Sequence, residues 1–168
     1  MILGFKKQFQ NPILNGTKIH TIREDKHNRW RAGNKIHFAT GVRTKNYNKF
    51  SEGVCVSVQP IILVNHGNHV YCQIQTDENE YIHNDCVEHE HIKWYCGHLT
   101  KGGLLGDLCK NDGLSWEDFK SWFIPKQGDK FTGKIIHWTE FQYSNKKPTD
   151  GEDEKKKRNS IGMKGTYE

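Results

Sequence analysis

At 168 residues, with 34% hydrophobic residues, 27% charged residues and a formal net charge of +5, the chain has the length for one domain with a core of its own. Its mild basicity falls short of the concentrated positive field that identifies a nucleic-acid binder by itself, and no run reaches the ~18 apolar residues of a membrane helix. Five cysteines, odd in number and without a Cys-x-x-Cys pair, argue against a disulfide framework. Nothing ahead of Lys6-Lys7 resembles a secretion signal, so the expectation is a soluble, cytoplasmic protein.

In chain order, residues 11–16 read as a short helix, with Asn11 as N-cap, Pro12 at the first helical position and Gly16 at the exit. A strand follows through Thr21-Ile22-Arg23, then a polar loop from Glu24 to Asn34. Residues 35–39 alternate as a half-buried strand does. Apolar runs at 54–58 and 61–64 flank Pro60, and a Gly-Asn turn at 67–68 leads into the alternating run 69–75, which predicts an antiparallel hairpin. Ser115-Trp116-Glu117-Asp118 reads as a capping box with aspartate for the usual glutamate, opening a helix whose Trp116, Phe119, Trp122 and Phe123 form an apolar stripe read as core. The last strand is placed within 130–143. From residue 144 onward, seven Lys/Arg and five Asp/Glu with almost no apolar bulk read as a flexible charged tail, the domain proper being 1–143.

The stretch with the most chemistry is Gly16-Thr17-Lys18-Ile19-His20-Thr21-Ile22-Arg23. It brings a potential base, a hydroxyl and an anion-binding fork into six residues. Strand alternation puts Ile19, Thr21 and Arg23 on one face and Lys18, His20 and Ile22 on the other. Lys18 and Thr21 therefore meet only if Lys18 occupies the bend before the strand, which Gly16 permits.

This Gly-x-Lys-x-x-Thr-x-Arg motif after a short helix, in a mostly β chain with one capped helix, resembles the ASCH domain family of the PUA-like superfamily. The run Gly133-Lys134-Ile135-Ile136-His137-Trp138 resembles that family's closing barrel strand. The resemblance implies an α+β fold, a small and mostly antiparallel β-barrel flanked by short helices. It also implies a cleft that binds RNA, a nucleotide or a modified nucleoside. Within the family the chain is most similar to small bacterial enzymes that deacetylate N4-acetylcytidine with a lysine, a threonine and a glutamate. Lys18 and Thr21 match the first two. Asp112 stands where the glutamate is expected, one methylene shorter, and Glu88, Glu90 and Asp107 are other candidates for the acid.

The expected site is thus a cleft floored by Gly16, Lys18, Thr21 and Arg23, with Arg29, Trp30 and Arg31 at its rim, where Trp30 either stacks on a base or folds back onto the core. The favoured reading is binding of RNA or a modified nucleoside. The alternative is an amidohydrolase with Thr21 as nucleophile, Lys18 as its base and Asp112 as supporting acid. A protein-interaction module built on the polar, histidine-rich insertion at 77–111 is a third class. Within that insertion His83, Cys86, His89, His91, Cys96 and His98 lack the paired spacing of a zinc knuckle, so no metal and no cofactor is expected. The glycine-rich run 102–106 lacks a phosphate-loop ending and reads as a turn. Cys55 and Cys72, in apolar strand patterns, read as inert core thiols.

Overall fold

The computed structural model describes residues 1–66, 70–76, 103–144 and the backbone of 81–83; the histidine-rich stretch 84–102, with Glu88 and Glu90, and the charged tail from 145 lie outside the described residues. The fold is mixed α+β. Strands β1 (Ile2–Phe5), β3 (Lys35–Thr40) and β4 (Asn48–Val54) form a small sheet in the order β1-β3-β4. Strands β2 (His20–Arg23), β5 (Ser57–Asn65), β6 (Val70–Gln75), β7 (Tyr81–His83) and β8 (Lys130–His137) form the larger one, ordered β2-β8-β5-β6-β7 and antiparallel throughout. Among the described residues no strand pairing joins the two sheets into a closed barrel. No helix among the described residues is long and apolar enough to cross a membrane.

The expected hairpin forms as β5 and β6, but β5 runs unbroken through Pro60. Pairing with β6 starts only at Ile61, so the missing N–H of Pro60 interrupts no rung on that side. Two strands carry no alternating apolar signal. β1 pairs in parallel with β3 from a four-residue run, and β4 is a polar edge strand, NKFSEGV, that leaves most of its side chains part-exposed.

Three short helices pack on the sheets. A 3-10 turn (Lys7–Phe9) runs into α1 (Gln10–Leu14), which starts earlier than Asn11 and puts Pro12 in its third position. Gly16 ends this segment with φ +74, as its exit role demands. Helix α3 (Trp116–Phe123) opens as read from sequence: the Ser115 hydroxyl accepts the Asp118 N–H at 3.1 Å and donates to the Asp118 carboxylate at 2.9 Å. Helix α2 (Leu104–Asn111) replaces the turn expected at 102–106. Leu105, Leu108 and Cys109 are buried along one face, and that burial outweighs the glycine-rich composition.

One contiguous apolar cluster links both sheets to the helices, from Leu3, Phe5 and Phe38 through Ile61, Leu63 and Ile74 to Leu105, Leu108 and Phe119. Phe119 is fully buried, and its truncation to alanine would cost about 3–5 kcal/mol. Cys55 and Cys72 are buried in this core, and burial pushes the Cys55 thiol up to about 11, away from thiolate chemistry.

Candidate functional site

The site is assembled where the segment entering β2 crosses the end of α2. Leaving α1, the chain is held by Thr17 and Lys18, whose N–H groups both donate to the Pro12 carbonyl at 2.9 Å. The Ile19 N–H then donates to the Asn111 carbonyl at 2.9 Å, tying the segment to α2. Lys18 therefore sits in the bend ahead of the strand, as sharing one cavity lining with Thr21 requires. Helix α2 ends in a Schellman motif. The Leu114 N–H reaches the Cys109 carbonyl at 2.9 Å, the Gly113 N–H reaches that of Lys110 at 3.1 Å, and Gly113 takes the left-handed conformation at φ +66. That motif makes Asp112 the C-cap residue and turns its carbonyl and carboxylate toward Lys18.

The Lys18 ammonium donates to the Asp112 carbonyl at 2.5 Å and to Asp112 Oδ1 at 2.8 Å. The cation thus satisfies an orphan carbonyl at the negative end of the helix and pairs with the carboxylate there. Both residues are sealed from solvent, Lys18 at 1% and Asp112 at 2% exposure. Burial brings the Lys18 pKa down to about 8; the attraction of Asp112 opposes the fall and Arg23 adds to it. A lysine so poised loses its proton around pH 8, well below an ordinary lysine, the property a general base needs.

Lys18, Thr21, Arg23 and Asp112 line one cavity of about 330 Å3. Thr21 is 3% exposed, and its hydroxyl has no hydrogen-bond partner among the described residues. The Arg23 guanidinium donates from one terminal nitrogen to the Gly4 carbonyl at 2.7 Å and stacks 5.3 Å from the Phe5 ring; its Nε has no partner among the described residues. Burial lowers the Arg23 pKa from its ordinary value, while Asp112 counteracts. The rest of the lining includes the aromatic side chains of Phe9, Trp122, Phe123 and Phe131. Trp122 is 38% exposed, with the Lys6 ammonium 4.1 Å from the centre of its ring.

Comparison with protein-family models, curated proteins and solved structures finds no match. The chemistry must be read from the residues themselves.

Of the residues expected from sequence, Lys18, Thr21, Arg23 and Asp112 meet. Gly16 shapes the approach and does not line the cavity. Arg29, Trp30 and Arg31 are not at its rim. Asp25 draws their loop inward: its carboxylate accepts the backbone N–H groups of Arg29 at 3.0 Å and Trp30 at 2.9 Å and pairs with Lys134 at 3.3 Å. Burial works against the Asp25 charge, but these donors outweigh it and hold its pKa below the ordinary value. Trp30 is consequently core, and with Arg31 it borders a separate concavity of about 450 Å3 beside Ser57, Pro60 and Lys134. Asp107, a candidate acid, lies in α2 and is absent from the cavity wall.

Three groups have places at or beside the site that the sequence does not assign. Trp122 belongs to the aromatic stripe, yet only Phe119 of that stripe is fully buried. His20, inside the motif, faces Asp112 Oδ1 from its Nδ1 at 3.5 Å and shares a 2.9 Å hydrogen bond between Nε2 and the Tyr143 hydroxyl. Tyr143 is held by Gln59, whose side-chain amide donates to its carbonyl at 2.8 Å and accepts its N–H at 2.9 Å. The presence of His20 within the motif is the available signal; its partners lie far along the chain, Asp112 at the end of α2 and Tyr143 beyond β8.

Proposed function

We propose that this chain is an ASCH-type amidohydrolase with a PUA-like barrel fold, taking an acylated nucleoside into the Lys18–Thr21–Asp112 cavity and hydrolysing its exocyclic amide. The observation that carries this reading is the buried Lys18–Asp112 pair in the wall that also holds Thr21. Aspartate reaches the lysine despite its shorter side chain, because the α2 C-cap brings its backbone to the site. The cavity volume is at the small end of the ~300–1,000 Å3 typical of small-molecule sites, a fit for one nucleoside rather than a helical nucleic acid.

In this reading the Thr21 hydroxyl oxygen attacks the acyl carbon while neutral Lys18 takes its proton. Arg23 offsets the charge developing on the carbonyl oxygen. The C–N bond breaks as Lys18 returns the proton to the departing amine, leaving a Thr21 ester. Water, deprotonated by the same lysine, cleaves that ester to the free carboxylic acid and restores the threonine.

Incubation with N4-acetylcytidine near pH 8 is expected to release cytidine and acetate, and Thr21→Ala to reduce the rate by about a thousandfold or more. Absence of turnover across a panel of acylated pyrimidine nucleosides overturns the hydrolase. A second reading, binding without hydrolysis, is favoured by the two bonds from Lys18 to Asp112, which suit a cation kept charged as a structural post. Calorimetric binding of the same nucleosides without product selects it.

A further inference from the structure

We propose that His20 is a positioning residue: it is the second donor for the Asp112 carboxylate, the one that keeps that carboxylate in place while Lys18 is neutral. The inference rests on the hydrolase reading for its purpose but on separate geometry for its substance.

The geometry is a buried chain of polar groups. Asn111 Nδ2 donates to the Tyr143 hydroxyl oxygen at 3.2 Å, so that oxygen is already accepting. The hydroxyl proton is then directed to His20 Nε2 at 2.9 Å. A neutral imidazole whose Nε2 accepts carries its proton on Nδ1. His20 is fully buried, and burial lowers its pKa from the ordinary value against the opposing pull of Asp112, so the neutral ring is the relevant form. Nδ1–H therefore points at Asp112 Oδ1.

The separation there is 3.5 Å, beyond a full hydrogen bond, and Nδ1 has no other partner among the described residues. The same carboxylate oxygen is meanwhile taken by Lys18 at 2.8 Å. One acceptor thus faces two donors, one engaged and one waiting. When Lys18 takes part in proton transfer as the neutral amine, its hold on the carboxylate weakens, and a buried carboxylate without a donor is costly. A small movement toward His20 restores the bond.

The donor is fixed from behind. Gln59 clamps both backbone groups of Tyr143, so the hydroxyl cannot retreat from Nε2. The titratable groups around this chain are Lys18 before β2, Asp112 at the end of α2 and His137 on β8, with Asp107 and Cys72 facing Tyr143. Burial pushes Tyr143 well above its ordinary value, so the phenol keeps its proton across the working range.

Because His20 stabilises the state with neutral Lys18 and charged Asp112, removing its Nδ1 donor raises the Lys18 pKa. The test follows the Lys18 side-chain NMR signals against pH in the full chain, together with the ring tautomer of His20 from long-range 1H–15N correlation. The wild-type ring is expected as the Nδ1–H tautomer. His20→Gln, whose amide sits near the position of Nε2, is expected to move the Lys18 midpoint up by about one pH unit. His20→Asn, whose amide N–H mimics Nδ1, is expected to move it less.

An Nε2–H tautomer overturns the proposal, as does a Lys18 midpoint that both variants leave unchanged. Should His20→Gln not fold, the tautomer in the unaltered protein still decides. None of these readouts needs turnover. An inactive protein with the Nδ1–H tautomer and the shifted midpoint removes the hydrolase reading and leaves the role of His20 standing.

Discussion

Gly113 lies directly against the aliphatic stem of Lys18. A Cβ added there would stand 3.3 Å from Lys18 Cβ and 3.5 Å from its Cδ, on a residue whose φ is +66. Two costs meet at this position: the left-handed backbone that terminates α2 and the lack of room beside the lysine. Gly113→Ala is expected to lose about 1–2 kcal/mol in urea unfolding. It is also expected to slow N4-acetylcytidine hydrolysis by about tenfold through displacement of the Lys18 ammonium. Full rate with unchanged stability would mean that the α2 terminus does not hold the lysine.

Lys18 makes stability depend on pH with a definite sign. Its pKa is about 8 in the folded chain against about 10.4 when unfolded, so between these values the unfolded chain binds more protons. Stability therefore rises with pH through this window, and the penalty for burying the cation is fully present below pH 8. Cys55, raised to about 11 by burial, acts with the opposite sign above pH 9, which leaves pH 8–9 as the clean interval. Urea titrations at pH 7, 8 and 9 are expected to show an increase in the wild type and a smaller one in Lys18→Met. The rate of hydrolysis is expected to rise through pH 8 in the same way, since the neutral amine is the base. A flat rate between pH 7 and 9 counts against Lys18 in that role.

The parts of the site visible in the sequence are those carried by short spans. The spacing of Lys18, Thr21 and Arg23 depends only on one bend and one strand. Asp112 is found by counting back from the Ser115 cap, because α2 ends and α3 begins within four residues. What was hidden depends on pairing between distant segments. His20 meets His137 only through the β2–β8 register, and β1 becomes a strand only because β3 lies beside it in parallel. Trp30 between two arginines looks exposed until Asp25 is seen to draw its backbone inward. Helix α2 is masked by its glycines, since the burial that stabilises it belongs to the tertiary fold.

Asp112 is the attraction that keeps the Lys18 pKa from falling further. Asp112→Asn is expected to move the midpoint of the pH–rate curve below about 8, opposite in direction to the effect of His20→Gln. It is also expected to cost about 3 kcal/mol at pH 7, where the folded variant must bury an unpaired cation or give up its proton, and less at pH 9, where the lysine is already neutral in the wild type. A midpoint that stays in place would detach the carboxylate from the chemistry.

His137 is a different kind of buried histidine. Both ring nitrogens lack a partner among the described residues, and its ring lies 5.4 Å from that of His20. Burial, aided by His20, brings its pKa down to about 3, so it is neutral at all working pH values. Its strand partner Ser57 also carries an unpaired buried hydroxyl. Removing an unsatisfied buried polar group at near-constant volume is favourable, and His137→Leu is expected to stabilise the fold by about 1 kcal/mol in urea unfolding, leaving the rate intact. Loss of turnover in a stable His137→Leu protein would instead make the ring part of the reaction.

Trp122 offers the cavity a flat aromatic face, and its exposure sets it apart from Phe119 in the same helix. Lys6 now covers the ring at 4.1 Å, on the surface a nucleobase would need, while Phe9 meets it edge-on at 5.9 Å. A stacking base must therefore displace Lys6, whose freed ammonium then lies beside the bound ligand. Trp122→Ala is expected to raise KM for N4-acetylcytidine by about tenfold with kcat little changed, the low end of what one base-stacking contact contributes. Lys6→Ala separates the possible ligands. It removes the competitor for the ring and so tightens binding of the neutral nucleoside, but it also removes a cation, which weakens binding of the 5′-monophosphate, most clearly at low salt. A nucleoside KM indifferent to Trp122→Ala would move the base away from this ring, toward another of the aromatic residues that line the cavity.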